Sequence, residues 1–235
     1  MRNILAAAAV AALAGAANAA DMDSPAGGLK DTPYVVAPSW TGFYVGANLG
    51  GGFADLRSTV DVAGTNVSSL SNNASGVAGG GQLGYNYQMG SFVFGAEFDF
   101  GGLGLQNTAL FPFTDAGTTI NNGFYLDVTG RLGYAAGPAL FYAKGGYAWF
   151  DGPVGLTAPV PDGNITHSGL NGLTIGGGIE YKINPTWSVK GEYQLFAFQR
   201  LDFTDTDVTI HNYLTVNTVK VGVNYFVGNV YTPLK

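Results

Sequence analysis

The side chains able to carry out chemistry are few in this sequence. Only His167 and His211 offer imidazole rings, and the absence of cysteine excludes disulfides and thiolate metal sites. Glu97 and Asp99 share one face of a predicted strand, about 7 Å apart, a spacing that suits paired acid–base groups. No Ser–His–Asp or cysteine arrangement accompanies them. The residues therefore predict no enzyme, no metal site and no cofactor, and salt bridges are the favoured role for the two carboxylates.

One glycine-rich segment matches a nucleotide-binding pattern. Residues 79–84 read GGGQLG, which formally fits the G-x-G-x-x-G of a dinucleotide-binding loop. Such a loop must leave a buried strand and open a helix. Here the segment lies inside an alternating strand pattern, and no helical pattern follows it. The sequence therefore does not predict a nucleotide site.

The composition favours strands that face an apolar environment. Apolar residues make up 46% of the chain and charged residues only 11%, a low charge content for a soluble protein. After residue 20 no run of 18 apolar residues is long enough for a membrane-spanning helix. The 37 glycines and the aromatic content of 13% weaken helices and suit sheets. The formal net charge of -6 argues against nucleic acid as a partner.

The chain begins with the anatomy of an export signal. Residues 1–19 combine a basic start, an apolar stretch and the small-x-small sequence ANA, which predict a cleaved signal peptide. Residues 20–38 contain three prolines and are predicted to be a periplasmic N-terminal linker. Residues 39–227 are predicted to form the folded domain, and residues 228–235 a C-terminal tail.

Eight runs in the predicted domain place apolar or aromatic residues at every second position, the period of a strand with two different faces. Predicted connections of roughly 15–20 residues alternate with turns of about three to five residues. Long connections on one side and tight turns on the other are typical of an outer-membrane β-barrel. We therefore predict an all-β fold, an eight-stranded antiparallel up-and-down transmembrane β-barrel. The alternative is a secreted β-sandwich or a lipocalin-like soluble barrel, and either would bury the apolar face.

The sizes of the residues on the two faces favour the inverted arrangement, with apolar side chains outside. In the stretch SWTGFYVGANLGGGF, Phe43 and Val45 share one face, and Tyr44 and Gly46 share the other. Bulky residues dominate the apolar face along the chain, whereas glycine crowds the polar face, as the narrow interior of a small barrel requires. We expect residues 50–52 to release the chain into the first outer loop.

The polar faces of the strands carry equal numbers of acids and bases. We predict that these groups pair across the lumen, where an isolated ion would be costly to desolvate. The predicted lumen charge network consists of Glu97, Asp99, Asp127, Arg131, Lys144, Glu180, Lys182, Lys190, Glu192 and Lys220.

Aromatic residues predicted to point outward cluster at the short-turn ends of the strands. Because amphipathic rings favour the headgroup level, they predict one interfacial girdle. An even number of strands puts both termini on the short-turn side, which is periplasmic in such barrels, so the long connections would face outside. The predicted location is the bacterial outer membrane. The predicted girdle consists of Trp40, Phe43, Tyr85, Tyr87, Phe92, Tyr134, Phe141, Tyr181, Trp187 and Tyr225.

Five sequence blocks carry a resemblance to a known family. They are SWTGFYVGANLGGGF, GGGQLGYNYQ with VFGAEFDF, RLGYA with LFYAKGGYAW, NPTWSVKGEYQ, and TVKVGVNYF. Together they resemble the Omp25/Omp31-like outer-membrane proteins of alphaproteobacteria over roughly residues 39–226, and they occur in the family's order. The sequence departs from the family at its end, where Phe226 is followed by nine further residues.

The resemblance implies an OmpA-like barrel that contributes to envelope integrity and is exposed to the host as an antigen. The expected partners are outer-membrane lipid (phospholipid and lipopolysaccharide), the barrel-assembly machinery and host surface molecules. Two alternatives stay open: a narrow porin for small solutes, and a surface receptor for haemin. In the second, the outer loops would bring His167 and His211 together as axial ligands of the haem iron. The simpler interpretation is that both are solvated loop residues.

Overall fold

The structure is a computed structural model. It describes residues 39–110, 117–157, 165–167, 169–205 and 208–227. The segments predicted to be the signal peptide, the linker and the C-terminal tail all lie outside these residues. No helix in the described part of the chain is long and apolar enough to cross a membrane.

Thirteen strands make up the described secondary structure. In chain order they are β1 (Gly42–Val62), β2 (Thr65–Met89), β3 (Phe92–Leu103), β4 (Asn107–Leu110), β5 (Gly117–Ile120), β6 (Gly123–Ala136), β7 (Ala139–Asp151), β8 (Val154–Thr157), β9 (Ile165–His167), β10 (Leu170–Lys182), β11 (Trp187–Phe198), β12 (Leu201–Asp205) and β13 (Val208–Val227).

Eight of these strands close into a barrel. Neighbours in the order β1-β2-β3-β6-β7-β10-β11-β13 are hydrogen-bonded, and β1 pairs with β13 to complete the ring. Every pairing is antiparallel, and the closing pair runs from Phe43 opposite Val227 to Val62 opposite Val208. Closure leaves no open edge among the eight strands, so the backbone groups along the barrel wall are paired. This confirms the predicted eight-stranded antiparallel up-and-down barrel.

The prediction of a long first outer loop is wrong. Strands β1 and β2 remain paired to a two-residue turn at Ala63 and Gly64, whose φ angles are 47° and 80°. Positive φ at both central residues is the signature of the tight turn that best matches the twist of a hairpin. Residues 50–52 therefore stay within β1 and do not release the chain. The hairpin instead extends as a sheet beyond the level at which β3 ends.

The other long connections also contain strands. β4, β5, β8 and β9 form a separate four-stranded sheet in that order, and β12 adds to the barrel sheet beside β13. The three short connections are tight turns as predicted, but two of them are shorter than the predicted three to five residues. There are two residues between β2 and β3, two between β6 and β7, and four between β10 and β11.

The two faces of the barrel wall differ as the alternation predicted. Large apolar side chains such as Phe43 and Phe124 stand on the outer surface, where they are 65% and 75% exposed. Their chain neighbours Tyr44 and Tyr125 point to the inward face and are only 1% and 3% exposed. A soluble sandwich would bury the same apolar side chains, so the described surface is that of a barrel surrounded by an apolar medium.

Inward glycines make room for neighbouring groups. A Cβ at Gly146 would lie against the backbone carbonyl oxygen of Val128, and one at Gly84 would overlap the phenol of Tyr44. By contrast, a Cβ at the outward Gly191 would meet no heavy atom within 4 Å. At these two inward positions glycine therefore has a steric role that Gly191 does not share.

Two apolar clusters lie inside the barrel, one towards each end. The short-turn cluster consists of Trp40, Tyr44, Val93, Ala135, Leu140, Tyr142 and Phe226. The outer cluster, at the end with the long connections, consists of Ala54, Leu56, Ala74, Ala78, Leu103, Leu105, Ile120, Tyr125, Ala148, Phe150, Val154, Leu170, Phe196, Phe198, Leu214 and Val216.

The prediction that Trp40 faces outward is wrong. Its side chain is fully buried in the short-turn cluster, with its ring centroid 5.9 Å from that of Phe226 in an edge-to-face contact. Its backbone N–H donates to the side chain of Gln88, which ties the entry to β1 across the barrel mouth. Trp40 precedes β1 by two residues, and the parity of that strand, extended back to it, already places Trp40 on the inward face with Tyr44.

The other nine predicted girdle residues are exposed on the outer surface. Several pair across neighbouring strands, with ring centroids 4.7 Å apart for Phe43 and Tyr85, and 5.1 Å apart for Trp187 and Tyr225. Such contacts order the rings in one band. That this band marks the membrane interface stays a prediction.

Replacing Trp40 by Ala should lower the unfolding temperature more than replacing Trp187 by Ala. Trp40 is fully buried whereas Trp187 is 46% exposed, and truncating a buried aromatic residue typically costs about 3–5 kcal/mol. The temperature at which the folded, fast-migrating form is lost in detergent gels measures the difference. Equal shifts for the two variants would show that Trp40 does not pack inside the barrel.

Candidate functional site

A layer of ionisable side chains lies between the two apolar clusters. All ten residues predicted for the lumen network point inward, and none is more than 3% exposed. We call this set the charge layer. It is contributed by β3 (Glu97, Asp99), β6 (Asp127, Arg131), β7 (Lys144), β10 (Glu180, Lys182), β11 (Lys190, Glu192) and β13 (Lys220).

Glu97 is the central acid of the layer. One of its oxygens, Oε1, lies 2.9 Å from Lys144 Nζ and 3.3 Å from Lys190 Nζ. The other, Oε2, accepts a hydrogen bond of 2.8 Å from the Tyr44 hydroxyl and lies 3.8 Å from the guanidinium of Arg131. A single buried carboxylate therefore faces three cations, each from a different strand.

Lys144 is the corresponding central base. Its ammonium lies 2.9 Å from an oxygen of Glu97, 2.9 Å from one of Asp99 and 3.0 Å from one of Glu192. Ligand oxygens of these three acids lie within 4.8 Å of one another, close enough to surround a metal ion. In this barrel the ammonium of Lys144 supplies the positive charge at that point.

Arg131 connects the charge layer to the short-turn cluster. Its guanidinium pairs with Glu180 and stacks 3.7 Å above the ring centroid of Tyr142. Glu180 also accepts hydrogen bonds from Ser188 and, at 2.7 Å, from the side-chain amide of Asn224. Charge-assisted hydrogen bonds of this kind offset the cost of taking both ions out of water.

Some register partners on the barrel wall carry like charges, and their counter-charges come from other strands across the lumen. Arg131 lies directly opposite Lys144 in the β6–β7 register, and Asp99 lies directly opposite Asp127 in the β3–β6 register. Like charges in such positions destabilise a sheet. Here Arg131 is neutralised from β10 and Lys144 from β3 and β11, so these ion pairs join strands that are not neighbours in the sheet.

Two members of the predicted network stand apart from the ion pairs. The ammonium of Lys182 lies 3.8 Å from the ring centroid of Phe226 and donates to the backbone carbonyl of Pro185, at the short-turn end. Asp127 has no basic nitrogen within 4.0 Å among the described residues, and its Oδ2 accepts a hydrogen bond of 3.1 Å from Gln194. The structure thus buries both groups without an ion-pair partner in the described part of the chain.

Sequence reasoning missed the neutral residues that complete the layer. The hydroxyl of Tyr142 donates to Glu192 at 2.8 Å, as Tyr44 does to Glu97. The amide of Gln194 bridges from Asp127 to the ammonium of Lys220. The inward parity of these residues was readable, but the partner of each polar group depends on distances across the lumen.

The prediction that both histidines lie in outer loops is wrong, whereas haem ligation by the pair stays a hypothesis. His167 belongs to β9 and His211 to β13, and neither lies in a loop. The ring of His211 is held between two carboxylates, with Nδ1 2.7 Å from Asp202 and Nε2 3.4 Å from Asp61. Both ring nitrogens therefore face acids, an arrangement that ties β13 to β1 and β12 and leaves neither nitrogen directed at open solvent.

This contact stabilises the ionised carboxylate of Asp202, and with it the folded state. The hydrogen bond from His211, followed by that from Arg200, holds the pKa of the Asp202 carboxyl below its usual range. A lowered pKa means that the contribution is present above the ordinary pKa of aspartate and is lost as the pH falls through the lowered value. The contact thus fastens the outer edge of the barrel sheet at neutral pH.

Replacing Arg131 by Ala should lower the thermal stability of the barrel far more than replacing Arg57 by Ala. Arg131 is buried against Glu180 and Glu97, whereas Arg57 is exposed on the outer part of β1. Removing one partner of a buried ion pair costs about 3–5 kcal/mol, because the remaining charge is left uncompensated. Thermal unfolding followed by circular dichroism in detergent measures both variants. Equal shifts would mean that Arg131 does not face the lumen.

Replacing His211 by Ala should loosen β12 without unfolding the barrel. Among the described strands β12 pairs only with β13, and the His211 contact is partly exposed, so its loss should cost no more than about 1 kcal/mol. Amide hydrogen exchange should accelerate in residues 201–205, while exchange in β3 and β6 stays unchanged. The exposed Asp55 on β1, replaced by Asn, is the matched control. Unchanged exchange in β12 would contradict the role assigned to His211.

Comparison with known proteins agrees with this architecture. The family described as "Outer membrane protein beta-barrel domain" matches residues 5–226. The 31 kDa outer-membrane immunogenic protein of Brucella melitensis is 32% identical over 249 residues, which cover 96% of this chain and 99% of that protein. The 22 kDa outer membrane protein of Rhizobium leguminosarum bv. viciae is 29% identical over 198 residues, covering 83% and 81% of the two chains.

The chain also shows a partial likeness to two solved structures. OprG of Pseudomonas aeruginosa has a TM-score of 0.49 and 10% identity, covering 82% of this chain and all of that one. Neisserial surface protein A has a TM-score of 0.43 and 13% identity, covering 79% and 97%. The family match and the identity to the Brucella protein carry the assignment. This chain belongs to the outer-membrane β-barrel family, is of the Omp25/Omp31 type, and is a protein of the bacterial outer membrane.

Proposed function

We propose that this chain is a non-catalytic envelope protein whose lumen is closed. We propose further that its outer sheet, formed by the distal halves of β1, β2 and β13 together with β12, is presented at the cell surface. The observation that carries the proposal is the stacking of three filled layers inside the barrel: the short-turn cluster, the charge layer and the outer cluster. An eight-stranded barrel encloses just enough space for side chains, in contrast to the water-filled lumen of a 16-stranded porin.

The apolar clusters support closure at both ends of the lumen. Phe150, Phe196 and Leu103 are each no more than 1% exposed within the outer cluster, and Phe226 is fully buried in the short-turn cluster. A hydrated ion crossing the barrel would have to displace tightly packed apolar groups at two levels. Between those levels it would meet ion pairs whose members are already neutralised.

The inward glycines do not favour the alternative of a narrow porin. The space above Gly84 is taken by the phenol of Tyr44, and the space above Gly178 by that of Tyr142. At Gly46 the side chains of Asn224 and Gln82 approach in the same way. Glycine therefore admits large inward neighbours and does not line an open channel at these positions.

The charge layer also supports a non-catalytic role. Acid–base catalysis needs a titratable group within reach of a substrate, yet Glu97, Glu192 and Lys144 are buried and bonded to one another. Haemin binding by paired histidines gains no support either, because the ring of His211 lies between Asp202 and Asp61.

The outer sheet is the surface that other molecules would meet. It is formed by the distal halves of β1, β2 and β13 together with β12, and its segment from Thr65 to Ser75 is rich in Ser, Asn and Thr. The Brucella relative is named an immunogenic outer-membrane protein, and we propose a comparable exposure for this sheet. Host surface molecules would contact it, while lipid surrounds the barrel wall and the barrel-assembly machinery inserts it.

Planar-bilayer recording of the purified, folded protein should show no steady conductance. The double substitution Phe150→Ala and Phe196→Ala should increase brief openings, because it removes two buried rings from the outer cluster. The same change at the outward Phe100 and Phe124 is the matched control, and it should leave the recordings unaltered.

Steady, large channels formed by the unmodified protein would overturn the closed lumen. The folded state of each variant is checked by heat-modifiable migration before recording, so that openings caused by unfolding are recognised. An unaltered recording from a folded Phe150/Phe196 variant would show that the outer cluster does not close the lumen.

A further inference from the structure

One carboxylate of the charge layer lacks a cation. Asp127 is fully buried on β6, and its register partner across the sheet is Asp99 of β3, which is also fully buried. Side chains in directly opposite positions of an antiparallel pair have Cβ atoms about 4.5–5.5 Å apart. Two ionised carboxylates at that separation inside a barrel would repel each other strongly.

Each of the two acids has one oxygen bonded and one oxygen free of partners. Oδ2 of Asp99 lies 2.9 Å from Lys144 Nζ, and Oδ2 of Asp127 accepts from Gln194. Oδ1 of Asp99 and Oδ1 of Asp127 are buried and have no hydrogen-bond partner in the described structure. The same is true of the hydroxyl of Tyr125, two residues from Asp127 on the inward face of β6.

The surrounding strands offer no spare cation. Lys144 of β7 is already divided among three acids, and Lys220 of β13 lies 3.3 Å from Glu192 and 2.8 Å from the amide oxygen of Gln194. The fifth base, Lys182, lies at the short-turn end against Phe226. Lys190 of β11 lies 3.3 Å from Glu97 and 3.2 Å from Glu192. The groups that face the two aspartates are Gln82 of β2, Glu97 of β3, Tyr125 of β6, Lys144 of β7, Lys190, Glu192 and Gln194 of β11, and Lys220 of β13.

The charges of the layer therefore do not balance. Five carboxylates, counting both aspartates, face four bases once Lys182 is set apart, so the layer is one positive charge short. An uncompensated ion in the interior is far more costly than the same group in its neutral form.

We propose that Asp99 and Asp127 form a binding site for one proton, which they share. Two carboxylates that share a site cannot both ionise, and one of them keeps its proton. A protonated carboxyl gains an O–H donor, and the Oδ1 atom of the other aspartate is the acceptor that lacks a partner. One proton thus balances the charge of the layer and satisfies both free oxygens.

A shared proton links folding to pH. At neutral pH the aspartates of the unfolded chain are ionised, so the barrel takes up one proton as it folds. Stability then falls as the pH rises, by up to tenfold in the unfolding equilibrium constant per pH unit for a single linked proton. This link holds whether or not the lumen conducts ions, so its failure would leave the closed lumen untouched.

The test is infrared spectroscopy of the purified full chain, folded in detergent at neutral pH in H2O and in D2O. The unmodified protein should show the C=O stretching band of a protonated carboxyl group, shifted in D2O. Asp127→Asn should lose this band, whereas Asp55→Asn, a change at an exposed aspartate, should keep it. Thermal unfolding followed from mildly acidic to alkaline pH should show a steeper loss of stability in the unmodified protein than in Asp127→Asn.

Absence of the carboxyl band from the folded, unmodified protein would overturn the proposal, and this reading does not require any variant to fold. Persistence of the band in a folded Asp127→Asn variant would overturn it as well. If removing sodium and magnesium ions at neutral pH lowered the stability of the unmodified protein but not that of Asp127→Asn, the occupant would be a metal ion and not a proton, and the proposal would again be wrong.

Discussion

The arrangement of this barrel depends on one constraint: a charge inside the wall must find its counter-charge inside the wall. Glu97 meets that requirement with cations from β6, β7 and β11. The partners on β7 and β11 are not neighbours of β3 in the sheet, so they lie within reach because the sheet curves into the ring that β1 and β13 close. Since a buried ion without its partner costs several kcal/mol, the charge layer makes a half-closed barrel unfavourable. The ion pairs thus couple the pairing of the last strand with the first to the electrostatics of the interior.

Space inside the ring is the second constraint, and it follows from the first. Long charged and phenolic side chains must cross a narrow lumen to reach one another, as Tyr44 does to Glu97 and Tyr142 to Glu192. Glycine at Gly84 and Gly178 leaves room for those phenol rings. The large apolar residues that a soluble protein would bury are excluded from this layer and stand on the outside, where a hydrocarbon environment receives them. The glycine content and the exposed aromatic residues therefore both result from the small volume of the lumen.

Strand number, strand direction and the two faces were predictable because they depend on local alternation. The ten residues of the charge layer could be named for the same reason, since parity alone decides which side of the wall a residue occupies. The prediction for Trp40 was wrong because it relied on the preference of tryptophan for the membrane interface and not on the alternation that places residue 40 on the inward face. The length of β1 and β2 was missed because the distal half of β1 reverses the pattern, with apolar Ala54 and Leu56 inward and charged Asp55 and Arg57 outward. In the distal half of β2, Ser, Asn and Thr predominate and leave no clear apolar period. Other features depend on distances across the lumen or between strands far apart in the sequence, and no local pattern contains those distances. They are the individual ion pairs, the apolar layers above and below them, and the carboxylates around His211.

The position of the charges also explains how eight similar strands find one register. A shift by a single residue would turn every inward side chain of a strand towards the lipid. For β6 that shift would expose Asp127 and Arg131 to hydrocarbon and bring Phe124 and Leu126 into the lumen. A charged side chain on the lipid face of a barrel costs about 2–4 kcal/mol near the bilayer midplane, and two or more of them on one strand exceed what the new apolar contacts could return. Buried ion pairs add little net stability compared with apolar residues of the same volume. They do, however, raise the free energy of a barrel in which a strand has slipped by one residue. We therefore regard the charge layer as the element that selects a single barrel from the many that apolar alternation alone would allow.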